Sequence, residues 1–342
     1  MSKIDRIKAQ VRLDRITMFN QIETDEKKKT RHEFKKLDIL LGKKVGHGAN
    51  VDVYLPEKLD CLYGRKNLCL KVFRKSKLMW GSVCREGYSP IYESTIVQNL
   101  MALRGLAPRV YDIINVNGKT AQVTDYLVGQ PKVATIVDDR FSFNQNEIKK
   151  PYNFIDGKLI DFQAVIFKNF IEYKKSFIRG CLNITQFPQG HGGLYQSLDY
   201  HAGKRNTKER LARYKFKDFK NKKVLDIGCN LGLFSRASCD LGAKRVVGID
   251  WSGIAEKSAE LAILDGYFNI DFYGVDLRDT SWADIIKMTG IEKFDIGLFL
   301  AMECHVGKPE WLKNFDTLIY EGHGQELART FKIIDNKSKI LS

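Results

Sequence analysis

Carboxylates and glycines in the last third of the chain have the types and spacing to hold a nucleoside. In the run from Lys223 to Phe234 (KVLDIGCNLGLF), an apolar stretch leads into Asp226, and Gly228 and Gly232 open a helical pattern from Leu233 to Leu241. Glycine at such a turn lets the backbone approach a ligand, and a helix start presents free amide groups. The next apolar run, Arg245 to Ile249, ends in Asp250. A carboxylate there can accept hydrogen bonds from both hydroxyls of a ribose. A third run, Ile270 to Val275, ends in Asp276. The last two runs, Phe294 to Leu300 and Thr317 to Tyr320, are followed by Glu303 with His305 and by Glu321 with His323. His305 or Glu321 has the chemistry to take a proton from a hydroxyl or amine, and Glu303 stands beside them.

A second set of residues lies nearer the N-terminus. Gly46, Gly48 and Val53 fall in the segment GHGANVDV between two strand-like runs. Lys71 sits on the next run, Glu93 on the helical stretch that follows, and Asp125 at the end of the last run. A glycine-rich hairpin, a strand lysine and a helix glutamate that pairs with it are the parts of a nucleotide-phosphate site.

These residues need two kinds of scaffold. From Leu37 to Tyr126 the pattern is of short strands: Ile39 to Leu41, Val51 to Leu55, Leu68 to Phe73, Val110 to Val116 and Ala121 to Tyr126. One helix, Ile91 to Leu103, interrupts them after the third. Asn117-Gly118 marks a hairpin, as does Asp156-Gly157 between Phe154-Ile155 and Lys158 to Ile160. Phe167, Phe170, Tyr173 and Phe177 recur at three to four residues, the spacing of a buried helix face rather than a base-stacking platform. From Lys222 onward strands and helices alternate, which implies a mostly parallel sheet with helices on both faces. Residues 1–36 read as an amphipathic, charged helical arm. The domain boundaries follow: 1–36 arm, 37–180 strand-rich module, 181–342 α/β domain.

A length of 342 residues with 44% apolar content suits about two folded domains and excludes wholesale disorder. The net charge of +15 is uneven, with +8 in residues 145–220 and −3 in residues 221–342. Such a basic surface attracts polyanions or phosphorylated small molecules, or is simply a solvated lysine-rich face. The seven cysteines show no metal-type pairing, which suits a reducing compartment. No long apolar span or leader is visible, so a cytoplasmic location without a membrane span is expected.

The Asp226-x-Gly228-x-x-x-Gly232 turn, with Asp250 and Asp276 in order on successive strand ends, resembles the class I S-adenosylmethionine-dependent methyltransferases over residues 190–342. The resemblance implies a Rossmann-like fold with the glycine turn against the methionine part, Asp250 on the ribose and Asp276 near the adenine amine. It also sets Cys229, Trp251 and Leu277 along the cofactor. The lead-in, Gly192 to Asp199 with Arg205 and Arg210, is similar to a subgroup in which a Tyr-Gln pair, here beginning at Tyr195, and a following arginine close the site. A guanidinium matches the methionine carboxylate, so Arg205 or Arg210 is a candidate.

Residues 37–130 resemble the N-lobe of protein-kinase-like and small-molecule kinases, an α+β fold, with Val51 in place of the third glycine. The segment from Asn153 to Gln163 is similar to the kinase stretch that carries two magnesium ligands, which implies those roles for Asn153 and Asp161. A catalytic-loop aspartate has no clear match, although Glu147 lies nearby. The resemblance leaves three readings open: a pared-down kinase, a nucleotide-binding pseudokinase and a structural domain. Together the two resemblances imply methyl transfer from S-adenosylmethionine, with ATP and Mg2+ as further ligands of the first module. The pairing is similar to that of bacterial polysaccharide chain-terminating enzymes, which suggests a phosphorylated glycan as acceptor; the basic charge suggests RNA. A bifunctional kinase/methyltransferase and a non-catalytic regulatory scaffold are the alternatives.

Overall fold

Along Leu68–Phe73 every side chain except Lys71 is buried, and that pattern places a lysine on an otherwise apolar central strand. The computed structural model describes residues 35–47, 51–74, 90–136, 138–143, 149–160, 162, 165–184, 210–212, 219–322 and 331–335. The chain divides into two compact units, Met1–Phe177 and Ile178–Ser342.

The first unit begins with β1 (Lys35–Lys36), β2 (Lys43–His47), β3 (Val51–Leu55), α1 (Leu59–Tyr63) and β4 (Leu68–Phe73). It continues with α2 (Pro90–Ala102), β5 (Val110–Val116) and β6 (Lys119–Asp125). The strands form one sheet in the order β1-β5-β6-β4-β3-β2. All its neighbours are antiparallel except β1, which runs parallel to β5. Asn117 and Gly118 have φ of 50° and 75°, the left-handed pair that a tight hairpin requires. The expected strand over Ile39 to Leu41 is irregular backbone and the first long strand begins at Lys43. Leu37, Ile39 and Leu41 pack on the core beside Leu70 and Val123, while Leu40 is 91% exposed. The apolar run thus covers the core without joining a ladder.

Beyond the sheet come β7 (Phe141–Phe143), β8 (Phe154–Ile155), β9 (Lys158–Leu159), β10 (Val165–Phe167) and α3 (Phe170–Ile184). β8 and β9 pair as a hairpin, and β7 pairs with β10. Asp156 and Gly157, at φ of 47° and 81°, make the hairpin's turn. Phe167 packs on Phe141, Phe170 and Tyr173 at centroid distances of 4.9, 5.0 and 5.8 Å, so these rings serve packing. The arm over 1–34 lies outside the described residues.

The second unit alternates β11 (Lys223–Ile227), α4 (Leu233–Asp240), β12 (Arg245–Asp250), α5 (Ser252–Leu264), β13 (Ile270–Gly274) and α6 (Trp282–Thr289). Next are β14 (Ile296–Leu300), α7 (Glu303–Val306), β15 (Thr317–Glu321) and β16 (Phe331–Asp335). The sheet order is β13-β12-β11-β14-β15-β16. The first five strands are parallel and β16 is antiparallel to β15. Strand order reverses beside β11, so the crevice at the carboxyl ends of β11, β12 and β14 is where an open sheet of this kind takes a ligand. One core cluster gathers Leu225, Ile227, Val247, Ile249, Phe294 and Phe299; another gathers Val224, Val246, Ile270, Ile296 and Leu298. Burial on two sides is why these strands read as continuous apolar runs.

Candidate functional site

The turn after β11 is fastened to the end of β12. The amides of Gly228 and Cys229 both donate to the Ile249 carbonyl, at 2.9 and 3.1 Å. Asn230 follows at φ 50° and its amide donates to Asp250 Oδ2 at 2.8 Å, while the Trp251 amide donates to Oδ1 at 2.8 Å. Gly228 and Gly232 have φ of 70° and 74°. A Cβ on Gly228 would lie 2.2 Å from Met302 Sδ, and one on Gly232 would lie 2.7 Å from Phe272 Cζ. Glycine is therefore required twice over, by backbone conformation and by close neighbours.

Asp250 is 8% exposed, and burial pushes its carboxyl up against the two amides that hold it ionised. His305 is exposed on α7, near enough for its charge to favour the Asp250 carboxylate. Asp226 is 2% exposed and accepts from the Ser235 hydroxyl at 2.6 Å. Burial, with the nearby Asp250 charge, pushes its carboxyl up to about 7. Asp226 thus braces the turn from beneath.

On the outer side, Trp251 is 59% exposed and the Arg278 guanidinium lies 5.6 Å from its ring centroid. Arg278 Nε donates to Asp276 at 2.9 Å, and that guanidinium first of all holds the Asp276 carboxyl down to about 2. Asp276 is therefore already partnered, and Arg278 shares the edge that the sequence assigned to it alone. Cys229 and Leu277 are buried at 0% and 2%, so their side chains belong to the interior. Burial holds the Cys229 thiol well above its usual range.

Arg210 and Glu321 meet. Arg210 Nε donates to Glu321 Oε2 at 2.9 Å and Nη2 lies 2.8 Å from the same oxygen. The side chains are 3% and 1% exposed, and the guanidinium sits 4.7 Å from the Phe234 ring centroid at the start of α4. Arg210 Nη1 is buried with no hydrogen-bond partner among the described residues. Glu321 was expected to do proton chemistry; its place is a buried ion pair. Glu303 Oε2 accepts from the Tyr320 hydroxyl, and Lys308 Nζ lies 2.9 Å from its other oxygen. Tyr195, Arg205 and His323 lie outside the described residues.

In the first unit, register places Gly46, Val53, Lys71 and Gln122 in one row across β2, β3, β4 and β6. Lys71 Nζ donates to the Ile160 carbonyl at 2.8 Å, and Glu93 accepts from the Phe167 amide at 3.2 Å. Asp125 accepts from the Arg109 amide at 3.0 Å and the Tyr111 hydroxyl at 2.8 Å. Its carboxylate therefore ties β5 to β6. Asn153 is 5% exposed and its carbonyl accepts from the Ile160 amide. Gly48 and Asp161 lie outside the described residues. Among the described residues no group of three or more His, Cys, Asp or Glu gathers to hold a metal, and no helix is long and apolar enough to cross a membrane.

Sequence reasoning missed Asn230, Ser235, Arg278, Tyr320 and Lys308. Only Asn230, a left-handed-tolerant residue inside the glycine turn, carried a local signal; the others are set by tertiary contact.

Residues 205–267 match the family of ribosomal protein L11 methyltransferases (PrmA). The chain is 33% identical over 116 residues to a Methanocaldococcus jannaschii protein named for protein N5-glutamine methylation, which is 33% of this chain and 54% of that one. It is 47% identical over 49 residues to protein arginine N-methyltransferase 1 of Saccharomyces cerevisiae, 14% of each chain. Among solved structures it is similar to the Trypanosoma brucei PRMT1 enzyme-prozyme complex with AdoHcy, with 26% identity, 32% of this chain and 33% of that chain covered, and a TM-score of 0.26. The chain spans about half the length of the first of these curated relatives and a seventh of the second. The second unit has the class I methyltransferase type of fold, with the parallel sheet and glycine turn that go with it.

Proposed function

We propose that the second unit binds S-adenosylmethionine at the carboxyl ends of β11 and β12 and directs its methyl group to an acceptor over the end of β14. The cofactor supplies an electrophilic methyl on a sulfonium. The chain's own residues fit such a group. Asp250, fixed by two amides, keeps lone pairs for the ribose hydroxyls; the glycine turn leaves room for close approach; Trp251 offers an exposed ring to the base; Arg210 Nη1 is an orphaned donor for a carboxylate. The acceptor needs orientation more than activation, since positioning supplies most of the rate of a direct displacement. His305, with Glu303, is the group available at the end of β14 to take the acceptor's proton.

The observation that carries this reading is the double amide clamp on Asp250 beside the glycine turn. Isothermal titration with S-adenosylhomocysteine tests it. The parent protein should bind, and Asp250→Ala should weaken binding by at least tenfold; no heat with the parent protein would end the reading.

For the acceptor, the relatives named for arginine and N5-glutamine methylation favour a protein side-chain nitrogen, while the charge of +8 over 145–220 favours a phosphorylated glycan or RNA. Labelled S-adenosylmethionine in cell extract, followed by protease, nuclease and glycosidase digestion, separates them. The first unit is read as a kinase-like module that binds ATP with magnesium. The row Gly46–Val53–Lys71, with Lys71 on the residue before Asp161, supports this. Magnesium-dependent ATP binding that Lys71→Ala removes is the expected result.

A further inference from the structure

We infer that Met302 is the gate of the cofactor crevice: its thioether fills the space over Gly228 that a ligand's own sulfur-bearing chain must enter, and binding requires it to swing aside. The inference rests on the cofactor reading above and adds to it a residue that sets access.

Occupancy comes first. A glycine at this turn frees the volume that a side chain would take. At Gly228 that volume is filled by another residue, since a Cβ there would run into Met302 Sδ, Cε and Cγ, the last at 2.7 Å. Three atoms of one side chain therefore rest on the bare side of Gly228, and a ligand atom fits between them no better than a methyl does. Met302 is half-buried just beyond the end of β14, the strand that pairs with β11. It covers the glycine turn from the neighbouring strand end.

The backbone enforces that position. Ala301, the residue before it, stands at φ 59° and is 2% exposed. The left-handed region strains any residue with a Cβ, and such strain persists only where surrounding contacts impose it. Here the Ala301 amide donates to the Glu321 carbonyl at 2.7 Å, and the Met302 carbonyl accepts from the amides of His305 and Val306 at 2.9 and 3.1 Å. The main chain on both sides is held, but the side chain is free to turn. Methionine is unbranched, rotates about three single bonds, and its thioether gives up no strong hydrogen bond on moving.

The gate acts on one part of the ligand. The amide clamp on Asp250 and the exposed Trp251 ring stand at the end of β12 and the cap of α5, so a nucleoside has its contacts there. Only a ligand whose chain extends from the ribose to the glycine turn meets Met302. The longer ligand is therefore taxed by the fraction of chains that stand open, and the shorter one is spared.

Titration and stopped-flow association of two ligands test this in the full-length protein: S-adenosylhomocysteine, which carries the thioether chain, and adenosine, which ends at the ribose. Met302→Ala should tighten S-adenosylhomocysteine about five- to tenfold, chiefly through faster association, and leave adenosine within about threefold. A residue that merely packs on the bound ligand gives the opposite sign, because truncation then loses contacts. Met302→Leu keeps the bulk and stiffens it, so it should fold as the parent does and bind S-adenosylhomocysteine more slowly. That variant decides the matter if the alanine variant does not fold. In protein isotopically labelled at the methionine methyls, the signal that Met302→Leu removes should shift with S-adenosylhomocysteine and stay in place with adenosine. Weaker or unchanged S-adenosylhomocysteine binding in Met302→Ala, an equal gain for adenosine, a Met302→Leu that associates as fast as the parent, or a methyl signal that fails to separate the two ligands would overturn the inference. A parent that binds neither ligand would instead remove the cofactor reading beneath it.

Discussion

Asp226 and Asp250 are both buried acids whose carboxyls burial pushes up. Asp250 has two backbone amides to stabilise its charge; Asp226 has one hydroxyl and a neighbouring anion. An acid whose folded value is raised from 3.8 to about 7 is protonated in the folded chain while the unfolded chain has already ionised. Stability therefore falls as pH rises from about 4 to 7, and the loss is complete above that. Thermal melts of the parent from pH 5 to pH 8 should show a falling midpoint, and Asp226→Asn should flatten the curve and raise the midpoint at pH 8. A second residue-scale expectation concerns Arg278. Its guanidinium holds Asp276 and lies over the Trp251 ring, so Arg278→Ala should raise quenching of that tryptophan by the neutral quencher acrylamide, a fluorescence change absent in a Trp251→Phe background.

At the scale of elements, the glycines divide by what they touch. A Cβ on Gly274 would lie 2.4 Å from the Ser252 Cα, which is backbone at the start of α5. That contact cannot be relieved by turning a side chain, so Gly274→Ala should cost about 1–3 kcal/mol in denaturant unfolding by forcing the helix outward. A Cβ on Gly228 meets the flexible Met302 side chain instead, but its φ of 70° strains any side chain; Gly228→Ala should cost about 1–2 kcal/mol through the backbone and weaken cofactor binding as well. On α2 the buried face is partly polar. Asn99 Oδ1 accepts from the Val110 amide at 2.9 Å, and Gln98 donates to the Pro108 carbonyl at 2.8 Å. Asn99→Ala would strand a buried amide and should cost about 1–3 kcal/mol. The strands and turns of the second unit were legible because apolar runs, glycines and strand-end acids all act over a few residues. The glycine turn and Asp250 stood out as an acid and glycines in order at strand ends, and their binding roles came from the resemblance. The Arg210–Glu321 contact joins residues 111 apart, and Tyr320 meets Glu303 across neighbouring strand ends. No local pattern encodes such pairings. Ile39 to Leu41 misled for a related reason, since an apolar run tells of burial but not of ladder partners.

For the whole molecule, two compact units on one chain should answer separately to their ligands. Calorimetric scans with and without S-adenosylhomocysteine should raise the second unit's unfolding transition by mass action and leave the first unit's where it was, while on the kinase-like reading ATP and magnesium should raise the first unit's instead. A single transition that moves as one would instead mean cooperative unfolding of the full chain. β16 bears on this level too. It runs antiparallel along all of β15, from the Thr317–Asp335 pair to the Glu321–Phe331 pair. Strip that outermost ribbon away and a row of amides and carbonyls stands open to any extended peptide, including another copy of the same chain. A truncated protein would thus tend to self-associate along the edge of β15.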